Sequence, residues 1–324
     1  MIFLVTGSAG FIGMSTSQAL LKKKHTVIGI DSLNSYYDIK LKKDRNKELL
    51  KFKKFKFINL DLSKDYNKIE KVIKKFKIKN ILHFAAQANV RYSLKNPKAY
   101  INNNIIGFYN MLEVSKKNKI KNFIYASSSS VYGNNYKNIK IFDEKLNTDS
   151  PKNLYAATKK CNEVLAHAYA DIFKFNVIGL RFFTVYGPWG RPDMAPFLFI
   201  DAILKRKKIN VFNAGNMSRD FTYIDDVVSA ILKITFKSIK SKNRIIKLLN
   251  IGRGNGVNLL KFISYLEEIL KKDAYKKFLP LQTGDMVSTK SNIKQLKKFI
   301  GYSPKTNLKQ GLINLCKWYL EYYK

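Results

Sequence analysis

Tyr155 and Lys159 stand four residues apart in the stretch Asn-Leu-Tyr-Ala-Ala-Thr-Lys-Lys. On a helix, positions i and i+4 share a face, so the phenol and the ammonium become neighbours. An unperturbed phenol titrates near pH ~10 and is a poor base at neutral pH. A cation beside it favours the phenolate and lowers that value. Such a pair could exchange a proton with a sugar or alcohol hydroxyl. The same spacing also fits an exposed Tyr and Lys on an amphipathic helix. Lysine is abundant enough here for chance matches, so the rest of the chain must decide.

The N-terminus decides in favour of chemistry. Ile2 to Thr6 is a short apolar, β-branched run that reads as a buried parallel strand. Gly7-Ser-Ala-Gly10-Phe-Ile-Gly13 follows at once, then a helix-like segment from Ser15 to Lys23. Strand, glycine-rich turn and helix opening form the context in which this motif holds a dinucleotide. Gly7 permits the tight turn, Gly10 lets backbone approach a pyrophosphate, and Gly13 lets the helix pack on the sheet. The helix N-terminus offers unpaired N–H groups and a positive dipole end. An ordinary glycine-rich turn would read the same, but the next strand, Thr26 to Ile30, ends in Asp31. A carboxylate there suits the adenosine ribose hydroxyls and repels a 2′-phosphate, which favours NAD over NADP.

The elements that must position these groups recur along the chain. Strand-like runs lie at Phe57–Asn59, Asn80–Phe84, Asn122–Ala126, Asn176–Arg181 and Lys247–Ile251. Helix-like segments lie at Asn67–Phe76, Pro97–Lys117 and Leu154–Phe173. This alternation predicts an α/β fold with a doubly wound parallel sheet of Rossmann type. Ligands of such sheets bind beyond the carboxyl ends of the strands. Asp61-Leu62, Ala85-Ala86-Gln87, Ser127 to Ser130 and Thr184 all follow strands in this way. After Gly187 the pattern loosens through Pro188, Gly190, Pro192 and Pro196. We therefore expect a cofactor domain over 1–186 and a smaller substrate domain over 187–324, with elements near 220–252 returning to the first.

Composition bounds the function. The 324 residues are 46% hydrophobic, enough for a large core. No apolar stretch reaches the ~20 residues needed to span a bilayer. A strand beginning at residue 2 leaves no room for a signal peptide. Cys161 and Cys316 are the only cysteines, so neither a disulfide framework nor a cysteine metal site is expected. A reducing cytoplasm is the simplest setting. The net charge of +37 requires nucleic acid to be weighed as a partner. The lysines, however, are scattered through nearly every segment at helix or strand spacing, as on solvated amphipathic faces, and form no single stripe. No nucleic-acid, membrane or metal partner is expected.

Phe123-Ile-Tyr-Ala-Ser-Ser-Ser-Ser-Val-Tyr-Gly133 places hydroxyls at the mouth of a strand. A polar strand-to-loop transition would look similar; a hydroxyl bridging substrate and Tyr155 is the functional alternative. The glycine motif, this serine run and Tyr155 with Lys159 resemble the extended short-chain dehydrogenase/reductase superfamily over nearly the whole chain. Within it the chain is most similar to UDP-glucuronate 4-epimerases. That resemblance rests on Asp31-Ser-Leu-Asn-Ser-Tyr-Tyr-Asp38, Ala85-Ala-Gln-Ala-Asn-Val-Arg-Tyr-Ser93, Leu180-Arg-Phe-Phe-Thr-Val-Tyr-Gly-Pro-Trp-Gly-Arg-Pro-Asp193 and Leu281-Gln-Thr-Gly-Asp285.

The resemblance implies roles residue by residue. Tyr155 would be the base, Lys159 would lower its pKa and bind the nicotinamide ribose, and Ser128 would complete the triad, with Ser127 and Ser129 adjacent alternatives. Gly7, Gly10, Phe11, Ile12, Gly13, Asp31, Asn34, Asp61, Leu62, Ala85, Ala86, Gln87 and Asn103 would contact a tightly bound NAD that is regenerated each cycle. Arg219 would bind the UDP diphosphate and Asp285 the uridine ribose. UDP-galactose 4-epimerases usually carry Asn at Thr184 and Arg at Gln282, so both departures fit a uronate. The implied reaction is 4-epimerisation of UDP-glucuronate to UDP-galacturonate through a 4-keto sugar.

That β-keto acid could lose carbon dioxide, and Thr184, Ser127, Arg191 and, more weakly, Arg91 are candidates to hold its carboxylate. For Arg191, a diphosphate or interdomain contact is the alternative. Rival readings are an N-acetylated uronate, a decarboxylase, a neutral-hexose epimerase, or a non-catalytic NAD-sensing or RNA-binding relative. A 4,6-dehydratase usually carries an Asp-Glu pair after its hydroxyl residue, where this chain has Ser129 and Ser130. Relatives commonly form homodimers through helices matching Pro97–Lys117 and Leu154–Phe173.

Overall fold

The computed structural model describes residues 1–133, 141–281 and 286–323. Its strands are β1 (Ile2–Thr6), β2 (Thr26–Asp31), β3 (Phe55–Asn59), β4 (Asn80–His83), β5 (Asn122–Ser128), β6 (Asn176–Phe182), β7 (Thr184–Tyr186), β8 (Lys208–Phe212), β9 (Ser218–Tyr223), β10 (Ile246–Ile251), β11 (Gly256–Asn258) and β12 (Tyr275–Leu279). The apolar runs read from the sequence become strands within two residues at each end. Seven form one parallel sheet in the order β10-β6-β5-β4-β1-β2-β3.

Alternation along the strands gives this sheet two apolar faces. Phe3, Val5, Val27 and Leu82 pack on one side with the helices Phe11–Lys22 and Ile224–Lys240. Leu4, Ile28 and Ile81 pack on the other with Tyr66–Lys75, Gly107–Lys117 and Leu154–Phe173. Each such side chain, wholly withdrawn from water, contributes about 1.5–3 kcal/mol. The chain leaves β3 and crosses back to β4 on the far side of β1. The strand order reverses there, which opens a crevice beyond the carboxyl ends of β1 and β4.

Two smaller sheets follow in the second half. One orders β11-β9-β7, and the other pairs β8 with β12. The helix Ile224–Lys240 and β10 then return to the main sheet, where β10 covers the edge of β6.

One expected helix is not regular. Over Pro97–Lys117 the backbone makes a short α turn at Pro97–Tyr100, a π-helical segment at Ile101–Ile106, and only then an α-helix at Gly107–Lys117. The cause lies in the run Asn102-Asn103-Asn104, whose amides compete for hydrogen bonds. Asn103 Nδ2 donates to Ala99 O at 2.7 Å. The buried Asn104 accepts from Gln87 N (2.8 Å) and donates to Gln87 O (3.0 Å) and Thr158 Oγ1 (3.0 Å). The widened turn thereby ties the loop after β4 to the helix that carries Tyr155. Segments of this kind recur at functional sites.

Candidate active site

The glycine turn sits where the main sheet reverses. Gly7 has φ +69°, and a Cβ there would lie 2.7 Å from Ala85 N. Gly10 caps the helix Phe11–Lys22 with no side-chain hydrogen bond. Gly13 lies inside the first turn of that helix, which starts at Phe11 rather than Ser15, and a Cβ on it would meet Gly7 O at 2.0 Å. The result is a cradle of bare backbone at a helix N-terminus, suited to an anion. At its edge the Asp31 carboxylate accepts from Ala9 N (3.1 Å) and Leu33 N (2.9 Å). Burial raises the Asp31 pKa, against these two donors and the nearby Lys42 and Arg45 charges.

A cleft of about 370 Å³ runs from this cradle across the strand ends. Gly7, Gly10, Phe11, Ile12, Gly13, Asp31, Asn34, Leu62, Ala85, Ala86, Gln87 and Asn103 line it, and Ser127, Ser128, Ser129, Tyr155, Lys159, Thr184 and Arg191 line its other end. Asp61 does not line it, because its carboxylate accepts from Ser63 N (2.9 Å) and Ser63 Oγ (2.7 Å) within the following turn. Arg91 and Arg219 are also outside the lining. The Arg91 guanidinium stacks 4.8 Å from the Phe212 ring, and Arg219 Nη1 donates to Ser218 O (2.9 Å) and Val287 O (3.2 Å). Gln282 and Asp285 lie outside the described residues.

Tyr155 occupies the first turn of Leu154–Phe173, which Asn153 caps by accepting from Ala156 N at 2.9 Å. Tyr155 thus springs from the positive end of the helix dipole. The Ser128 hydroxyl and the Arg191 charge both favour the phenolate, but burial outweighs them and raises the Tyr155 pKa. Lys159 lies one turn further along the same helix. Its Nζ donates to Ala126 O at 2.9 Å. Burial brings Lys159 itself down to about 7, with Glu163 opposing the fall.

The serines divide by strand geometry. Ser127 Oγ donates to Glu163 Oε1 at 2.6 Å, deep in the protein. Glu163 also accepts from Arg181 Nε and Nη2, both at 2.8 Å, in an ion pair with side-chain exposures of 2% and 3%. Arg181 is the register partner of Ser127 across β5 and β6, so all three side chains meet on one side. Ser128 lies one residue on. Its hydroxyl accepts from Ser130 N at 3.1 Å and stands beside the phenol.

Several groups at the cleft escaped the sequence reading. Lys42 lines it and donates to both Asn34 O and Asn34 Oδ1 at 2.6 Å, and burial lowers its pKa to about 8. One lysine among sixty Lys and Arg residues carries no signal. The buried Arg45 joins Ala9 O (3.1 Å) in the glycine turn to Trp189 O (2.6 Å) and Gly190 O (2.8 Å) beside Arg191. Tyr36 and Asn89 also line the cleft. Among the described residues no three His, Cys, Asp or Glu side chains gather as metal ligands, and no helix is long and apolar enough to cross a membrane.

Comparison with known proteins gives a consistent picture. The model of the NAD dependent epimerase/dehydratase family matches residues 3–252. Protein CapI of Staphylococcus aureus is 45% identical, with all of both chains covered. UDP-glucuronate 4-epimerase 5 of Arabidopsis thaliana is 44% identical over 99% of this chain and 76% of its own. Among solved structures, a UDP-glucuronic acid 4-epimerase from Bacillus cereus, in complex with UDP-glucuronic acid and NAD, superposes with a TM-score of 0.90 at 36% identity, covering all of both chains.

Proposed function

The chain belongs to the NAD dependent epimerase/dehydratase family, and we propose that it interconverts UDP-glucuronate and UDP-galacturonate with a resident NAD, in the cytoplasm. One observation carries this reading: Tyr155 beside Ser128 shares one end of a cleft with Thr184 and Arg191, while a bare glycine cradle forms the other end. The cradle and Asp31 fit a dinucleotide, since uncapped backbone receives its pyrophosphate and the carboxylate its ribose hydroxyls. When bound, NAD supplies the acceptor and then the donor of the C4 hydride.

The chain's own groups move the proton and hold the sugar. Tyr155 takes the proton of the 4-hydroxyl as that carbon becomes a ketone, and returns it after the sugar has presented its other face. Ser128 bridges the phenol and that hydroxyl. Lys159, whose ammonium donates to Ala126 O, would hold the nicotinamide ribose. The 4-keto uronate is a β-keto acid, and decarboxylation needs its C–CO₂ bond aligned with the ketone. Thr184 and Arg191 hold the carboxylate out of that alignment. Ser127 is left aside, because its hydroxyl serves Glu163. Arg219 is assigned to the diphosphate and Asp285 to the uridine ribose on family resemblance alone.

Incubating the purified protein with UDP-glucuronate, without added NAD, and following the sugar by NMR tests the reading. A mixture of UDP-glucuronate and UDP-galacturonate is expected; UDP-xylose as main product, or no conversion, overturns it. A Thr184→Ala variant should release more pentose nucleotide. We further propose a homodimer through Gly107–Lys117 and Leu154–Phe173, which expose Tyr109, Val164 and Ile172. Sedimentation should give a mass near twice 37.5 kDa.

A further inference from the structure

Arg191 reaches the sugar end of the cleft already paired. Its Nε donates to Asp193 Oδ1 (3.0 Å), and its Nη2 donates to Asp193 Oδ2 (2.6 Å) and Ala88 O (3.3 Å). The same Oδ2 accepts from Tyr36 Oη and Asn89 Nδ2, both at 2.9 Å. Loops following β2, β4 and β7 thus converge on one carboxylate. Arg191, Tyr36 and Asn89 border the cleft, whereas Asp193 does not, so the carboxylate backs the guanidinium from outside.

The arrangement is held rigidly. Asn89 sits at φ +115°, a conformation that L residues rarely adopt. Its Oδ1 accepts from Arg91 N (2.9 Å) and Tyr92 N (3.2 Å), and the Tyr100 hydroxyl donates to its carbonyl. The Tyr100 ring in turn meets the Tyr155 ring edge-on, with centroids 6.1 Å apart. Strain of this kind persists only where the surroundings over-determine it. The four donors hold the Asp193 carboxyl ionised despite its burial.

We propose that Asp193 sets the protein's discrimination between uronate and neutral sugars by partly neutralising Arg191. This rests on the UDP-uronate reading above. An unopposed guanidinium in a cleft of low dielectric grips a carboxylate bidentately and strongly. That grip belongs to the ground state and must be released each time the sugar turns to its other face. Binding energy spent on the ground state alone slows turnover. With Asp193 behind it, Arg191 still recognises a carboxylate but lets it go. A neutral hexose feels little of this balance.

The test compares the NAD-loaded protein with Asp193→Asn and Asp193→Glu. Affinities for UDP-glucuronate and UDP-glucose are measured by calorimetry on the same preparations, with steady-state kinetics on UDP-glucuronate. In Asp193→Asn the ratio of affinities should move toward UDP-glucuronate by about tenfold, or ~1.4 kcal/mol. Both kcat and KM should fall, the pattern of a strengthened ground state. Asp193→Glu keeps the charge and should return the ratio toward its original value. Partial unfolding lowers both affinities together and leaves their ratio readable. A ratio that is unchanged, or that moves toward UDP-glucose, overturns the proposal and leaves Asp193 only a tether for Arg191. If the unaltered protein neither prefers nor converts UDP-glucuronate, the functional reading itself has failed. If it does both while the Asp193→Asn ratio stays put, only this proposal has.

Discussion

Replacing Lys159 by methionine should make the protein more stable and inactive. Burial brings this lysine down from its usual 10.5 to about 7. Folding therefore works against the charged form. Each pKa unit corresponds to 1.36 kcal/mol, so the full shift amounts to roughly 5 kcal/mol at pH below 7. The hydrogen bond to Ala126 O, lost in the variant, is worth about 1 kcal/mol. Relaxation and water penetration reduce the cost of real buried ions well below idealised values. We expect a net gain of ~2 kcal/mol in Lys159→Met at pH 6. The sign follows from proton counting: between the native pKa and 10.5 the unfolded lysine binds the proton and the native one does not, so wild-type stability climbs with pH across that window. The advantage of the variant should be largest below pH 7 and shrink to nothing as pH approaches 10.5. Urea unfolding at several pH values, on protein stripped of nucleotide so that ligand stabilisation does not intrude, measures this difference. Lys42, also depressed by burial, titrates in the same window, but it cancels between the two proteins. A variant less stable than wild type at pH 6, or a difference that does not vary with pH, would refute the reasoning.

Three further outcomes follow from the site. Tyr155→Phe should lower kcat by about 10²–10⁴, with NAD content, read by absorbance after denaturation, unchanged. Gly13→Ala puts a methyl 2.0 Å from Gly7 O; it should cost about 3 kcal/mol or more and yield protein without nucleotide, read by thermal melting and cofactor release. Glu163→Gln leaves Arg181 buried without its partner carboxylate; it should lose ~3–5 kcal/mol in urea unfolding.

The strands, the glycine turn and the Tyr155 helix were legible because each is written locally. Apolar alternation, a turn residue or an i, i+4 pair needs only neighbours in sequence. The π-helical turn at Ile101–Ile106 was not legible, since it depends on Asn104 reaching Gln87 and Thr158, which are far apart along the chain. Ser127 and Ser128 could not be separated by counting; the register that puts Ser127 opposite Arg181 separates them. Spacing placed Lys159 on the right face but could not reveal that Ala126 O holds its ammonium. Asp193 stood two residues from Arg191 in plain view, yet its meaning depends on Tyr36 and Asn89, brought in by other loops.

The position of β10 bears on how the protein is made. The cofactor-binding sheet is unfinished when β6 leaves the ribosome, because the strand that covers β6 is not translated until residues 246–251. Between the end of β6 and the start of β10 lie 63 residues, which at ~5–20 residues per second take about 3–13 s to synthesise. For that interval the nascent chain carries a sheet edge with unpaired amides, the kind of template on which a second chain can add. Gly179 and the hydrophobic run of β6 leave that edge without a proline or charge until Arg181. Crowded expression should therefore aggregate chains arrested between residues 190 and 245 sooner than chains released past residue 251.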